Sequence, residues 1–188
     1  IMSVNTVLPF GDGWRGTNTD VFGIVRSLTA RLTEAPRHAT VLGAGATARS
    51  AIAALAELDV REVLIVARRP EAAADLVRLA GSFGLTGHAE LFEPSRELLA
   101  RDIVISTLPG SVAEPWAALA REAQGTLLDA SYHPWPTPMV GAWPSDRVAS
   151  GRDMLLWQAV RQVELMTGQR APVDAMAAAL PPLSTGTA

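Results

Sequence analysis

The stretch Ala39-Thr40-Val41-Leu42-Gly43-Ala44-Gly45-Ala46-Thr47-Ala48-Arg49 passes from a short apolar strand pattern through a glycine turn into an Ala-rich helical pattern. Gly-x-Gly-x-x-Ala at a strand-to-helix junction is the context a dinucleotide fingerprint requires. Gly43 allows the tight turn, and Gly45, flanked by Ala44, lets a pyrophosphate come close to the backbone. The free N–H groups that open the helix, at Ala46 and Thr47, suit an anion. Ala48 permits close helix–strand packing. The competing interpretation is a glycine turn in an α/β protein that binds no nucleotide.

The next strand pattern, Glu62-Val63-Leu64-Ile65-Val66, ends in Ala67-Arg68-Arg69. A reader of NAD places an acid here, about 20 residues past the glycines, for the ribose 2′-hydroxyl. Two arginines instead suit a 2′-phosphate, because a guanidinium forks onto phosphate oxygens and stacks on adenine. NADP(H) is therefore the expected cofactor; the alternative is a pair of solvated surface arginines.

Working outward, helical patterns over 46–58 and 70–83 alternate with strand patterns near 86–91, 102–107, 125–129 and 147–149, with a short helix near 116–121. Strands separated by helices through short connections predict a doubly wound parallel sheet of Rossmann type, class α/β. Ahead of it, residues 4–8 and 14–17 around Gly11-Asp12-Gly13 read as a β-hairpin. Asn18-Thr19-Asp20 then caps a helix to about residue 32. Helices over 154–167, closed by Gly168, and 173–180 follow the sheet and are expected to cover a different surface. The expected division is 1–34, 35–150 and 151–188, with a frayed tail over 184–188.

Composition narrows the function. Among 188 residues, 48% are hydrophobic and 19% charged, enough apolar material for a packed core. The net charge of −3 argues against a nucleic-acid or anionic-membrane surface. No apolar run approaches the roughly 20 residues of a membrane helix, so a cytoplasmic protein is expected. There is no cysteine, which removes disulfides and thiolate chemistry, and His38, His88 and His133 have no metal-ligand spacing. All sixteen basic residues are arginine, which removes lysine chemistry from these 188 residues.

Other polar groups cluster by position. Thr107 ends a strand beside the expected crevice and either lines the ribose–nicotinamide site or merely makes the turn. Tyr132, the single tyrosine, begins a loop whose Pro134, Pro136 and Pro138 hold side chains at fixed angles. It either reaches a substrate hydroxyl or packs the loop. Asn5, Thr6, Asn18, Thr19 and Asp20 converge if the hairpin pairs, serving either a polyhydroxylated ligand or helix capping. Gln158 lies on an apolar helix face with Met154, Leu155 and Val163, where a buried amide needs a partner.

Together these segments resemble shikimate dehydrogenase. Val4-Asn5-Thr6 is similar to the family's Asn-Thr strand, and Asn18-Thr19-Asp20-Val21-Phe22-Gly23 to its Asn-Thr-Asp-x-x-Gly. The 43–49 turn follows the family's glycine loop, and Ala67-Arg68-Arg69 falls on its Asn-Arg-Thr segment. Asp129-Ala130-Ser131-Tyr132-His133-Pro134-Trp135-Pro136-Thr137-Pro138 resembles Asp-x-x-Tyr-x-Pro-x-Pro-Thr-Pro. Gly151-Arg152-Asp153-Met154-Leu155-Leu156-Trp157-Gln158-Ala159 resembles the closing Gly-x-x-Met-Leu-x-x-Gln-Ala.

The resemblance implies NADPH-dependent reduction of 3-dehydroshikimate, a small-molecule substrate, to shikimate, in aromatic amino acid biosynthesis, by a monomer or homodimer. It implies substrate contacts from Asn5, Asp20, Tyr132 and Gln158, with Asp20 catalytic beside a lysine. It implies pyrophosphate on 43–47, the 2′-phosphate on Arg68 and Arg69, and Thr107, Ala130, Gly151 and Met154 at the nicotinamide end. Ala67 departs from the family's Asn, Arg69 from its Thr, and Ala72 from a frequent further Arg. The family's Ser-x-Ser segment and catalytic lysine have no counterpart, so this chain is expected to bind NADPH and turn over poorly or not at all. The rival expectations are a quinate-type dehydrogenase of other specificity and a non-catalytic NADPH-binding module. A glutamyl-tRNA reductase-like domain is disfavoured by the acidic charge.

Overall fold

A computed structural model describes residues 3–180; the expected fraying of 184–188 lies outside them. The chain opens with the hairpin, β1 (Thr6–Phe10) and β2 (Gly13–Thr17), antiparallel with Phe10 opposite Gly13. Gly11 turns it at φ +57°. Helix α1 (Asp20–Thr29) follows. It stops short of residue 32 because the N–H groups of Arg31 and Leu32 both converge on the Leu28 carbonyl.

The sheet elements then run β3 (His38–Leu42), α2 (Ala46–Glu57), β4 (Glu62–Val66), α3 (Pro70–Ser82), β5 (Thr86–Glu90), α4 (Arg96–Leu99), β6 (Ile103–Ser106), α5 (Gly110–Ala120), β7 (Thr126–Asp129), α6 (Pro138–Ala142) and β8 (Val148–Ser150). The chain closes with α7 (Gly151–Thr167) and α8 (Val173–Ala179). The six strands pair in parallel in the order β5-β4-β3-β6-β7-β8. This is the doubly wound order, with its reversal between β3 and β6, where such sheets bind ligands beyond the strand carboxyl ends.

Alternation along the strands builds a core on each face. Val41, Ile65, Ile105 and Leu128 pack with Ile24, Leu28, Ile52, Leu55 and Leu76. Leu42, Val66, Val104 and Leu127 pack with Trp116, Met139 and Trp143. Burial on both faces explains the continuous apolar character of these strands.

Three elements correct the sequence expectation. Helix α5 starts at Gly110 rather than near 116: buried Ala113, Trp116 and Ala120 carry one face through Pro115. The loop after β7 is shorter than expected, because Thr137 accepts the Val140 N–H and Pro138 opens α6. Helix α7 starts at Gly151 rather than 154, since Ser150 and Asp153 form a reciprocal capping box. Gly168 closes it at φ +68°, as expected.

Helix α7 lies along α1, off the sheet. The crossing is close because Gly23 has no side chain: a Cβ there would sit 2.7 Å from the Met154 carbonyl oxygen and 3.3 Å from Gln158. Helix α7 also reaches the hairpin, Gln162 Nε2 donating to Thr6 Oγ1 at 3.0 Å. Among the described residues, no helix is long and apolar enough to cross a membrane.

Candidate functional site

The β3–α2 turn is held by its neighbours. The Gly43 N–H donates to the Val66 carbonyl at 2.8 Å, and the Thr107 N–H to the Leu42 carbonyl at 2.9 Å. The Thr107 hydroxyl donates to that same Leu42 carbonyl at 2.9 Å. Gly43 has φ +109°, and a Cβ on it would overlap the Thr107 hydroxyl oxygen. Glycine is required here on two grounds, conformation and space. Gly45 is different: it is the extended N-cap of α2, with no heavy atom within 4 Å of its Cβ position. No side chain caps α2, so the first N–H groups of a twelve-residue helix are left for an outside acceptor.

These glycines form one wall of a crevice of about 450 Å³ at the β3–β6 switch point. Arg68 and Arg69, both exposed, stand on the β4 side with Ala67 and Ala72. Thr107, Leu108 and Pro109 stand on the β6 side, and no acid lines the space. Thr107 thus lines the crevice and helps make the turn. Ala46 and Thr47 open α2 outside this lining. Phe92 also lines the crevice, its ring edge-on to Trp116 at 5.8 Å. Sequence reading missed it because an isolated phenylalanine after a weak strand carries no periodic signal.

A larger cavity, about 680 Å³, opens at the opposite edge, beside the segments that enter β3, β6 and β7. Several of its charges are paired: Arg96 with Glu122, Arg101 with Glu62 at 3.6 Å, and Asp102 with His38 at 3.5 Å. The backbone N–H groups of Arg37 and His38 add to that pair and hold the Asp102 carboxyl below its ordinary range despite partial burial. That edge does not include the Gly43–Gly45 turn.

The hairpin's polar residues do converge. Asn5 Nδ2 donates to Asp20 Oδ1 at 2.7 Å. Asn5 Oδ1 accepts the Thr6 hydroxyl at 2.8 Å, the Thr19 N–H at 2.9 Å and the Thr19 hydroxyl at 3.2 Å. Asn18 Oδ1 accepts the Asp20 N–H at 2.9 Å, and the Ser50 hydroxyl of α2 reaches it at 3.4 Å. Capping chemistry is thus present, supplied by Asn18 rather than Thr19, and it links the hairpin to the helix that starts at the glycine turn. Burial pushes the half-buried Asp20 carboxyl up, opposed by the Asn5 amide and the Ser50 hydroxyl.

Beyond β7, Tyr132 is 49% exposed and belongs to neither core. Ala130 donates its N–H to the Ser106 carbonyl at 2.9 Å, one residue before Thr107. Gly151 presses against Ala130: a Cβ there would overlap the Ala130 carbonyl oxygen. Met154 is buried one turn further on. Ala130, Gly151 and Met154 thus gather at the ends of β7 and β8, beside the crevice. Gln158 lies against Gly23, one helical turn from Asp20 on α1. It is half-buried, open enough for water to serve its amide, not the closed apolar setting expected. The residues sequence reading missed, besides Phe92, are Gln162, Ser131 and Thr137, whose roles depend on contacts distant in the chain.

Residues 151–180 match the family model described as the Shikimate 5'-dehydrogenase C-terminal domain. A pentafunctional AROM polypeptide from Lachancea thermotolerans is 34% identical over 203 aligned positions, covering 96% of this chain and 13% of that one. A shikimate dehydrogenase (NADP(+)) from a Synechococcus species is 33% identical over 190 positions, covering 93% of this chain and 63% of its own length. This chain thus spans less than two thirds of both relatives. The crystal structure of Mycobacterium tuberculosis shikimate dehydrogenase superposes with a TM-score of 0.85 at 43% identity, covering 94% of this chain and 68% of that one. At 43% identity over 94% of its length to that enzyme, the chain belongs to the shikimate dehydrogenase family.

Proposed function

We propose that this chain carries the NADPH-binding part of an enzyme that reduces 3-dehydroshikimate to shikimate. The observation that carries the proposal is the crevice at the switch point, with an uncapped helix N-terminus at one end, two exposed arginines at the other and no acid between them. The fit is specific to a phosphorylated dinucleotide. The open Cβ position at Gly45 leaves room for a pyrophosphate against the α2 N–H groups, and Arg68 and Arg69 take the 2′-phosphate. Bound there, the coenzyme supplies the hydride. Thr107, Ala130, Gly151 and Met154 hold its nicotinamide end. Residues 35–150 bind the coenzyme, and the described flanking residues, 3–34 and 151–180, form the side that meets substrate.

Asn5, Tyr132 and Gln158 bind and orient the substrate. Asp20, its carboxyl raised by burial, holds a proton near the substrate more readily than a solvated aspartate would. These 188 residues include no lysine, so they do not complete the family's Lys–Asp pair. The test is a fluorescence titration of the chain with NADPH and NADH, with reduction of 3-dehydroshikimate measured in parallel. NADPH is expected to bind about 10–100-fold tighter than NADH, the range of one or two charge-assisted hydrogen bonds. That preference should vanish in Arg68→Ala/Arg69→Ala, and reduction by the chain alone should be negligible. Equal affinity for the two coenzymes in the parent chain refutes the role given to the arginines.

A further inference from the structure

Asp129 ends β7 fully buried, yet the chemistry above gives its carboxyl nothing to do. Both of its oxygens are taken by the loop that follows. Oδ1 accepts the Ser131 backbone N–H at 3.1 Å, where the loop begins. Oδ2 accepts the Thr137 hydroxyl at 2.6 Å, where the loop ends. The Thr137 oxygen also takes the Val140 N–H of α6 at 3.2 Å, which leaves its own hydrogen to point at Asp129. A third tie comes from Ser131, whose hydroxyl donates at 3.0 Å to the carbonyl of Leu108, a residue lining the coenzyme crevice. One buried carboxyl therefore fastens both feet of an arch, and one foot is also fastened to the crevice wall. Tyr132 stands between the feet, half-exposed and outside both cores. A buried carboxyl is costly unless its oxygens are satisfied, and here both hydrogen bonds come from the loop, from residues 131 and 137.

We propose that Asp129 is a positioning residue: it holds loop 131–137 as an arch that presents Tyr132 to the substrate, and through Ser131 and Leu108 it makes the surroundings of Tyr132 depend on whether the crevice is filled. This rests on the NADPH assignment above and adds a route between that site and the substrate side.

The single tyrosine makes the test direct. In the full 188-residue chain labelled with 3-fluorotyrosine, one fluorine resonance reports on position 132. In the parent chain it is expected away from the position of free 3-fluorotyrosine, and to shift when NADPH saturates the crevice. Thr137→Val removes one foot while keeping bulk. With circular dichroism unchanged and the NADPH dissociation constant within twofold, its resonance should narrow toward the free position and stop responding to NADPH. Thr137→Ser should restore both. If Thr137→Val does not fold, Ser131→Ala carries the test: it keeps the backbone tie to Asp129, so the resonance should hold its position but lose its response to NADPH. A folded Thr137→Val or Ser131→Ala protein with the parent's resonance and response overturns the proposal. Should the parent chain fail to bind NADPH at all, the coenzyme assignment falls separately. The arch then stands or falls on whether Thr137→Val moves the resonance in the free chain.

Discussion

Replacing Gly43 by alanine is expected to destabilise the fold by about 2–4 kcal/mol. A non-glycine residue forced to its φ of +109° costs about 1–3 kcal/mol. The new methyl would also drive the Thr107 hydroxyl off the Leu42 carbonyl, worth about 1 kcal/mol more. In urea, with m near 2 kcal/mol/M, the midpoint should fall by about 1–2 M. Thr107→Ala removes the obstacle but not the backbone strain, so Gly43→Ala should cost about 1 kcal/mol less in that background. Gly45→Ala forms the contrast. Its φ of −92° suits alanine and its Cβ meets nothing, so stability should stay within about 1 kcal/mol of the parent. The methyl enters the space reserved for pyrophosphate, however, and NADPH affinity should fall about 10–100-fold, the equivalent of one or two hydrogen bonds to a charged group. Urea unfolding followed by circular dichroism and a coenzyme titration read the two effects separately. A Gly43→Ala protein within about 0.5 kcal/mol of the parent refutes the steric reasoning. A Gly45→Ala protein that binds NADPH normally refutes the placement of the pyrophosphate.

Asn5→Ala deletes one donated and three accepted hydrogen bonds, three of them fastening the hairpin to the start of α1, and is expected to cost about 2–3 kcal/mol in urea unfolding; a loss under about 0.5 kcal/mol is the outcome that contradicts the clamp. Burial raises the Asp129 carboxyl, opposed by Thr137, Ser131 and Ser106, so the folded chain binds that proton more tightly than the unfolded chain. Stability from this group is therefore full in acid and lost as pH rises from the ordinary carboxylate range through the raised value. Asp129→Asn should lack that part of the slope in urea midpoints collected from acid to neutral pH, and an unaltered slope contradicts the assignment.

The alternation of apolar strands with helical patterns was plain in the sequence because the inner strands of the sheet are buried on both faces, which leaves continuous runs such as 63–66. The crevice wall was equally plain, since the glycines and the arginine pair stand at the ends of adjacent strands, β3 and β4. What escaped were features set by distant partners. Helix α5 was cut short because Gly110 and Pro115 are breakers locally, and only the fit of Trp116 into the core overrides them. Thr137-Pro138 did carry a helix-start signal, masked by reading the three prolines as one stiff loop. The burial of Asp129 and its hold on residues 131 and 137 have no sequence period at all; they exist because β7 delivers its last carboxyl beneath a returning chain.

The clasp between α1 and α7 has a consequence for how the protein is made. The two helices are separated by more than a hundred residues, and Gly23 meets Met154 and Gln158 only across that span. On the ribosome, strands β3 to β7 can register in order as they emerge, while the outer flank of α1 waits until α7 is free of the exit tunnel. Synthesis that stalls before residue 151 should release an intermediate whose first helix is sticky, and chaperone capture of nascent chains is expected to peak in that interval.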